Sequence, residues 1–493
     1  MTEPILSGFY PDPSICRVDD TYYLITSSFE YLPGIPIHVS TDLITWTPIG
    51  NALTRPTQIA EHAGYPSAGI YAPTIRHHEG VFWIIGTDVN GIPQGQGHFL
   101  IHAAQAEGPW SEPVYIRGTI GIDPDIAWDH EGTAHVTWCS LNPELPGIVS
   151  APVDPSTGEF LTPPRQLWQG TGLAHPEGPH LYAVDGWWYL LLAEGGTERG
   201  HAVTIARSRS LDGPFEAAPH NPILSHRSSA HAVQNTGHAD LIELSDGTWA
   251  AVHLGVRPRG QSPSFHVNGR ESFLVGIDWV DGWPAIDEAR FVVPPVDHSF
   301  EDTFDEPDLH PRWLGVGRFP TSFTHPGADG GLIIDADAGS GEALLVARAT
   351  DEVWTATTRF GADAGTGRFL LRIDGQHWYG LTYDGATVEA TLTIGPVQHT
   401  VGRWDVPSGT APILRISANA ARPMPHGVTR EPDLIELSVT AGADEHSFGE
   451  FDGRYLSTEV AGGFTGRVFG VEALTGRIHV HGVEYHSPKS PTT

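Results

Sequence analysis

The sequence predicts an all-β protein in two parts, an N-terminal five-bladed β-propeller over residues 1–297 and a jelly-roll-like β-sandwich over residues 298–493. Three observations predict it. A short segment ending in Ile or Leu, followed by an acidic turn and a usually aromatic strand, recurs five times in the first part. Apolar residues in these runs alternate with a period of two, and no long stretch carries the 3.6-residue period of a helix. Past the paired prolines of Val292-Val293-Pro294-Pro295-Val296-Asp297 the repeat is lost while strand-like runs continue.

The five copies open at Asp12, Ala72, Asp123, Glu177 and His238, with spacings of 60, 51, 54 and 61 residues. Each spacing has room for four strands of ordinary length, the unit of a propeller blade. In the first copy Asp12-Pro13-Ser14-Ile15 leads through Asp19-Asp20 into Thr21-Tyr22-Tyr23-Leu24. The second and third turn at Glu79-Gly80 and Glu131-Gly132, the fourth and fifth at Asp185-Gly186 and Asp246-Gly247. Such pairs close tight hairpins. Glu177 stands four residues before its Leu, where the others stand three before their Ile or Leu, so a bulge is expected in the fourth copy at Gly178. Beyond residue 297, the runs Gly331-Leu332-Ile333-Ile334, Ala343-Leu344-Leu345-Val346, Ala386-Thr387-Val388-Glu389-Ala390 and Arg477-Ile478-His479-Val480 are separated by Gly and Asp clusters. They read as the strands of the sandwich.

Acids outnumber Lys and Arg by 59 to 27, a formal charge of −32. That argues against nucleic acid and anionic membranes as partners, since both demand a basic face. No run approaches the roughly 20 apolar residues of a membrane span. The two cysteines, Cys16 and Cys139, lack a CxxC spacing and read as buried small hydrophobes of a reducing compartment. The first residues carry no basic and apolar leader pattern, so a cytoplasmic location is expected. A homo-oligomer is compatible with all of this.

The first strand of every propeller blade lines the central axis, so the residues opening the repeats converge there. Asp12, Asp123 and Glu177 then face one pocket. Crowded carboxylates raise one another's pKa, and a protonated acid beside an ionised one is the equipment for cleaving a glycosidic bond. An Asp before Pro is also an ordinary turn residue, but Glu177 between Pro176 and Gly178 is not. His238 on the same axis is either a satisfied polar residue or a functional one, metal ligation included. Phe29 and Tyr71 sit close to axial segments, where a ring either stacks on a sugar or packs a blade. Arg270 follows a long loop and can fork onto sugar hydroxyls or hold a carboxylate ionised.

At these residues the chain resembles glycoside hydrolase family 43. Gly8-Phe9-Tyr10-Pro11-Asp12-Pro13-Ser14 resembles the opening motif with the general base. Gly121-Ile122-Asp123-Pro124 resembles the segment with the acidic pKa modulator, and Pro176-Glu177-Gly178-Pro179-His180 with Ala193-Glu194-Gly195-Gly196-Thr197 the general-acid segment. Ser27-Ser28-Phe29-Glu30, Pro33-Gly34-Ile35-Pro36-Ile37 and Gly269-Arg270-Glu271-Ser272-Phe273-Leu274 resemble the β-xylosidases and α-L-arabinofuranosidases that carry a C-terminal sandwich.

The resemblance implies hydrolysis with inversion and release of terminal β-D-xylose or α-L-arabinofuranose from xylo- or arabino-oligosaccharides. Asp12 would activate water, Glu177 would protonate the leaving oxygen, and Asp123 would tune and orient the acid. Phe29, Tyr71, His238 and Arg270 would bind the sugar. Phe464, in a stretch resembling a pocket-closing loop, would make the enzyme exo-acting. No cofactor is required, and the resemblance leaves room for a structural calcium in the channel beside His238. Tyr71 stands where many relatives have Trp. Two other classes stay open on the residues: a non-catalytic propeller that binds a sugar or a protein, and a fructosidase-like five-bladed enzyme that retains configuration.

Overall fold

The computed structural model describes residues 3–260, 263–361, 365–421 and 432–487. The chain packs as two compact units, the first comprising Met1–Leu6, Tyr10–Arg257 and Arg270–Pro294, the second Ser7–Phe9, Pro258–Gly269 and Pro295–Thr493. Nearly all regular structure is β, and no described helix is long and apolar enough to cross a membrane.

The first unit is a five-bladed propeller. Blade 1 runs outward through Ser14–Val18, Thr21–Ile25, Gly34–Ser40 and Thr47–Leu53, and blade 2 through Ile70–His78, Val81–Asp88, His98–Ala103 and Val114–Tyr115. Blade 3 is built from Gly121–Trp128, Ala134–Ser140 and Gly147–Asp154, with Glu159–Phe160 and Arg165–Trp168 both pairing its third strand. Blade 4 is Glu177–Val184, Trp187–Glu194, Ala202–Ser208 and Glu216–Ala217, and blade 5 is Gln234–Glu243, Trp249–Val256, Glu271–Val280 and Trp283–Asp287. The innermost strands touch in sequence order, and the fifth touches the first, so the ring closes.

Period-two alternation is what lets each blade bury both faces. In Trp187–Glu194, Leu190 and Leu192 pack toward blade 3 with Ile148 and Leu167, while Tyr189 and Leu191 pack toward blade 5 with Val275 and Ile277. Equivalent apolar clusters lie between blades 1 and 2, 2 and 3, and 5 and 1. The core is thus a ring of wedges, which leaves the axis to polar residues.

The inner strands share one irregularity, and it positions the site. Tyr71 pairs with Thr87 and Thr74 with Ile85, three steps against two. The same extra residue appears between Ile122 and Asp125, Glu177 and His180, and Gly237 and Asp240. In blade 1 the Ser27 amide reaches the Pro11 carbonyl while Ser14 pairs with Ile25. At each of these bulges one residue is left-handed: Asp12 (φ 55°), Ala72 (32°), Asp123 (55°), Gly178 (56°) and His238 (42°). In four of the five a proline follows, where a bulge leaves no ladder partner for an amide. The bulge expected in the fourth repeat alone is therefore a property of all five. The repeat-equivalent residue of blade 4 is Gly178, and Glu177 stands one position earlier, where blade 2 has Tyr71. That one-residue offset is why Glu177 lay four residues before its Leu. A left-handed residue with a Cβ costs about 1–2 kcal/mol, strain of the kind that persists at functional sites.

The second unit has two antiparallel sheets over one core. One runs in the order Leu314–Val316, Ala343–Arg348, Val468–Thr475, Thr366–Asp374, His377–Tyr383, Thr387–Ile394, Val397–Asp405. The other runs Thr324–Pro326, Leu332–Asp335, Arg477–His486, Trp354–Phe360, Ile413–Asn419, Leu434–Ala441, Asp444–Asp452. Leu345, Phe369 and Val471 of the first meet Ile334, Ala356 and Ile416 of the second in a single apolar cluster. The four runs singled out in the sequence fall on these strands, except that Gly331 and Ala386 stand one residue before theirs.

Candidate active site

Asp12 is buried at the axial end of blade 1, and each of its oxygens is engaged. Ser27 Oγ donates to Oδ2 over 2.6 Å, and Arg270 Nη1 donates to Oδ1 over 3.1 Å. His238 Nδ1 lies 3.5 Å from Oδ1. Ser27 Oγ also accepts the amide of Ala72, so the neighbouring blade fixes the hydroxyl. Burial by itself would raise this carboxyl. Arg270, then His238 and the Ser27 hydrogen bond, outweigh it and hold Asp12 below its ordinary value. Asp12 is therefore an anion.

Glu177 is the opposite case. Burial, then the Asp12 charge, push its carboxyl up to about 7, against the pull of Arg270. Asp123 is also raised well above the usual carboxylate range, by burial first and then by Glu177 and Asp12. The Asp123–Glu177 pair thus keeps a proton at neutral pH. Asp123 Oδ2 accepts the backbone N–H of Gly178 over 3.2 Å, which ties it to the residue next to Glu177. The elevation of Glu177 traces to burial and Asp12, while Asp123 anchors the bulge that carries it.

Arg270 bridges the site, donating from Nη1 to Asp12 and, over 2.9 Å, to Thr197 Oγ1. Its guanidinium carbon lies 5.8 Å from the centre of the Phe29 ring, which meets Tyr71 edge-on at 5.3 Å. Phe29 is only 2% exposed, so of the two rings Tyr71 is the one that keeps accessible surface. Burial holds the Tyr71 hydroxyl protonated, with a pKa pushed up to about 12.

His238 is buried and, chiefly for that reason, lowered to about 4, hence neutral. A Cβ on Gly178 would fall 2.9 Å from its Nε2, so the glycine is needed for space as well as for its left-handed backbone. Phe464 belongs to the second unit, between the short helix Thr458–Ala461 and strand Val468–Thr475, and is 37% exposed.

Sequence reasoning missed His201, Thr197 and Arg76. His201 Nε2 lies 4.0 Å from Glu177 Oε1, and its Nδ1 donates to the Asn235 carbonyl over 3.0 Å. Burial lowers His201 to about 3, so it too is neutral. Gly237 carries no side chain because its Cβ would fall within 2.4 Å of the His201 ring. The signal was present in Gly195-Gly196-Thr197-Glu198-Arg199-Gly200-His201, a pinched loop that continues the segment singled out for the acid.

Arg76 bears on the calcium that the resemblance left room for. Its guanidinium donates to Asp240 Oδ2 at 2.7 Å and to Asp125 Oδ1 at 2.8 Å, and lies 3.0 Å from His180 Nδ1. Ser14 Oγ and Tyr182 Oη also donate to Asp240. These inner-strand carboxylates already face a fixed cation, so they do not fit a calcium. His238 itself is walled by Asp12 and Gly178.

The family profile described as Glycosyl hydrolases family 43 matches residues 1–284. A non-reducing end α-L-arabinofuranosidase of Bacteroides ovatus is 39% identical over 335 residues, 65% of this chain and 62% of its own length. A xylosidase/arabinosidase of Butyrivibrio fibrisolvens is 40% identical over 346 residues, 65% of each chain. The chain thus spans a little under two thirds of the curated relatives it matches. Among solved structures, the Bacteroides ovatus xyloglucan PUL GH43B protein superposes with a TM-score of 0.87 at 31% identity, covering 99% of both chains.

Proposed function

The chain belongs to glycosyl hydrolase family 43, and from that premise we propose that it is an exo-acting, inverting glycosidase. Its substrates are short xylo- or arabino-oligosaccharides, from which it releases terminal β-D-xylose or α-L-arabinofuranose. The observation that carries the reading is the split between two carboxyls of one site: Asp12 held ionised by Arg270, Glu177 held near 7 by burial and the Asp12 charge. Pairs pushed apart in this way divide into base and acid. The pentose class is supported by relatives named as an arabinofuranosidase and as a xylosidase/arabinosidase.

In the reaction, the Asp12 carboxylate takes a proton from a water that attacks the anomeric carbon. Glu177 gives its proton to the glycosidic oxygen as the carbon–oxygen bond breaks. The sugar leaves with inverted configuration and one water consumed, and solvent returns the two carboxyls to their starting states. Arg270 keeps Asp12 ionised and presents N–H donors to sugar hydroxyls. Asp123, which accepts the Gly178 amide, fixes the acid's backbone.

Hydrolysis of p-nitrophenyl β-D-xylopyranoside and p-nitrophenyl α-L-arabinofuranoside, with Asp12→Asn as control, tests the reading. Proton NMR of the first-formed anomer reads the stereochemistry. Cleavage of either glycoside with inversion, lost in Asp12→Asn, is expected. A retained anomer, or no cleavage by folded protein, would sink it.

A further inference from the structure

Away from the axial carboxylates, His226, His231 and Glu288 turn toward one point on blade 5. Nε2 of His226 lies 3.1 Å from Glu288 Oε2, and Nε2 of His231 lies 3.4 Å from the same oxygen. The two imidazole rings face each other with centroids 3.8 Å apart and planes tilted by 38°. The histidines belong to the connection that leads into Gln234–Glu243, and Glu288 directly follows Trp283–Asp287. Two segments 62 residues apart therefore supply one cluster.

Each ring's other nitrogen meets the same backbone carbonyl. The Val233 oxygen lies 2.8 Å from His226 Nδ1 and 3.1 Å from His231 Nδ1, and the Val233 amide donates to His231 Nδ1 over 3.2 Å. A proton on His226 Nδ1, given to that carbonyl, leaves Nε2 as a lone pair aimed at a carboxylate oxygen. Two such acceptors repel unless a proton or a metal cation stands between them. Bonding the remote ring nitrogen to a backbone carbonyl is also how proteins orient histidines that ligate metals. The spacing fits: tetrahedral bonds of about 2.0–2.1 Å place ligand atoms roughly 3.3–3.4 Å apart.

We infer that His226, His231 and Glu288 form a binding site for a zinc-class divalent cation. Two imidazole nitrogens and one carboxylate suit a borderline ion, whereas Ca²⁺ and Mg²⁺ take shells of oxygen. The side chain of His226 is 9% exposed, those of His231 and Glu288 41% and 44%, so water completes the coordination from the outer side. The bound ion clamps the loop over residues 225–233 to the end of blade 5. That loop feeds the strand bearing His238 and the Asn235 carbonyl that holds His201.

The test is a calorimetric titration of Zn²⁺ into the full-length protein after chelator stripping. One site is expected, weakened about tenfold or more in His231→Ala and in Glu288→Gln. Both side chains are partly exposed and stand outside the catalytic machinery, so both variants retain the wild-type circular dichroism and turnover. Zn²⁺ raises the Tm of the wild type and not of the variants. The Co²⁺-loaded wild type shows a tetrahedral d–d band that both variants lose, and Ca²⁺ gives no heat. With 27 histidines in the chain, Zn²⁺ binding that both variants leave unchanged would place the ion elsewhere and overturn the assignment. Absence of any Zn²⁺ site would overturn it too, and would leave a shared proton as what joins the three groups.

Discussion

His201 sets an unprotonated Nε2 4.0 Å from Glu177 Oε1, with its proton held on Nδ1 by the Asn235 carbonyl. At that distance the nitrogen makes no hydrogen bond to Glu177, but its lone pair faces the carboxyl and opposes an ionised oxygen there, so it favours the protonated acid. Replacing it by Ala is expected to move the alkaline limb of kcat/KM down by roughly half a pH unit to one unit. His201→Gln, whose carbonyl oxygen faces the carboxyl in place of Nε2, recovers part of the shift. A loss of activity with an unmoved pH profile would make His201 purely structural.

The roles proposed for Asp12 and Glu177 predict a bell-shaped pH dependence. Activity requires Asp12 ionised and Glu177 protonated. It falls as pH rises through about 7, where Glu177 loses its proton. On the acid side it falls only below the ordinary Asp value of 3.8, because Asp12 is lowered. The alkaline value belongs to the coupled Asp123–Glu177 pair, and a kcat/KM profile from pH 3 to 9 reads both limbs.

The leaving group separates acid from base. A nitrophenolate departs with little help, whereas a sugar alkoxide needs the proton of Glu177. Glu177→Gln is expected to lose about 10²–10⁴-fold on xylobiose or an arabino-oligosaccharide and far less on the p-nitrophenyl glycoside. Asp12→Asn loses activity on both, since water must be activated in either case. Equal losses for Glu177→Gln on both substrates would reassign the acid.

Ionising Glu177 in its buried site also costs the fold stability. Its folded value of about 7 exceeds the ordinary 4.5, so between those pH values the folded chain keeps a proton that the unfolded chain has released. Stability therefore falls as pH rises through that window and stays reduced above it. Glu177→Gln is expected to be more stable than wild type at pH 8, by up to about 3 kcal/mol, with the difference vanishing below pH 4.5. Denaturant unfolding at the two pH values checks this.

Arg76 neutralises Asp125 and Asp240, whose side chains are fully buried. Arg76→Met keeps the length of the side chain and leaves both carboxylates without their cation. A destabilisation of about 3–5 kcal/mol is expected. An unchanged Tm would show that the network contributes nothing to the ring.

Much of the fold was legible because a propeller writes the same local rule five times. The Asp-Gly and Glu-Gly turns, the alternation in Trp187–Glu194 and the spacing of the repeat openings are all local, and each blade came from them. Asp12, Asp123 and Glu177 were legible as a group because their repeat positions pointed to one axis. The bulge is half visible: the odd offset of Glu177 shows in the sequence, but the offset alone points to blade 4 only. Only strand pairing reveals that all five inner strands carry it and that Gly178 is the true counterpart of Asp12. His201 and Arg76 were not legible, because nothing in their neighbourhoods says what faces them.

By itself, then, the sequence determined the strands, the turns, the blade count and the kinds of side chain brought to the axis, since these follow from short-range periodicity. The tertiary structure decided what those side chains are. Arg270 and Asp12 stand 258 residues apart in the chain and 3.1 Å apart in space, and that approach makes Asp12 the anion. Burial beside that anion raises the Glu177 carboxyl to about 7. Charge state depends on distance and desolvation in three dimensions, and neither is written in residue order.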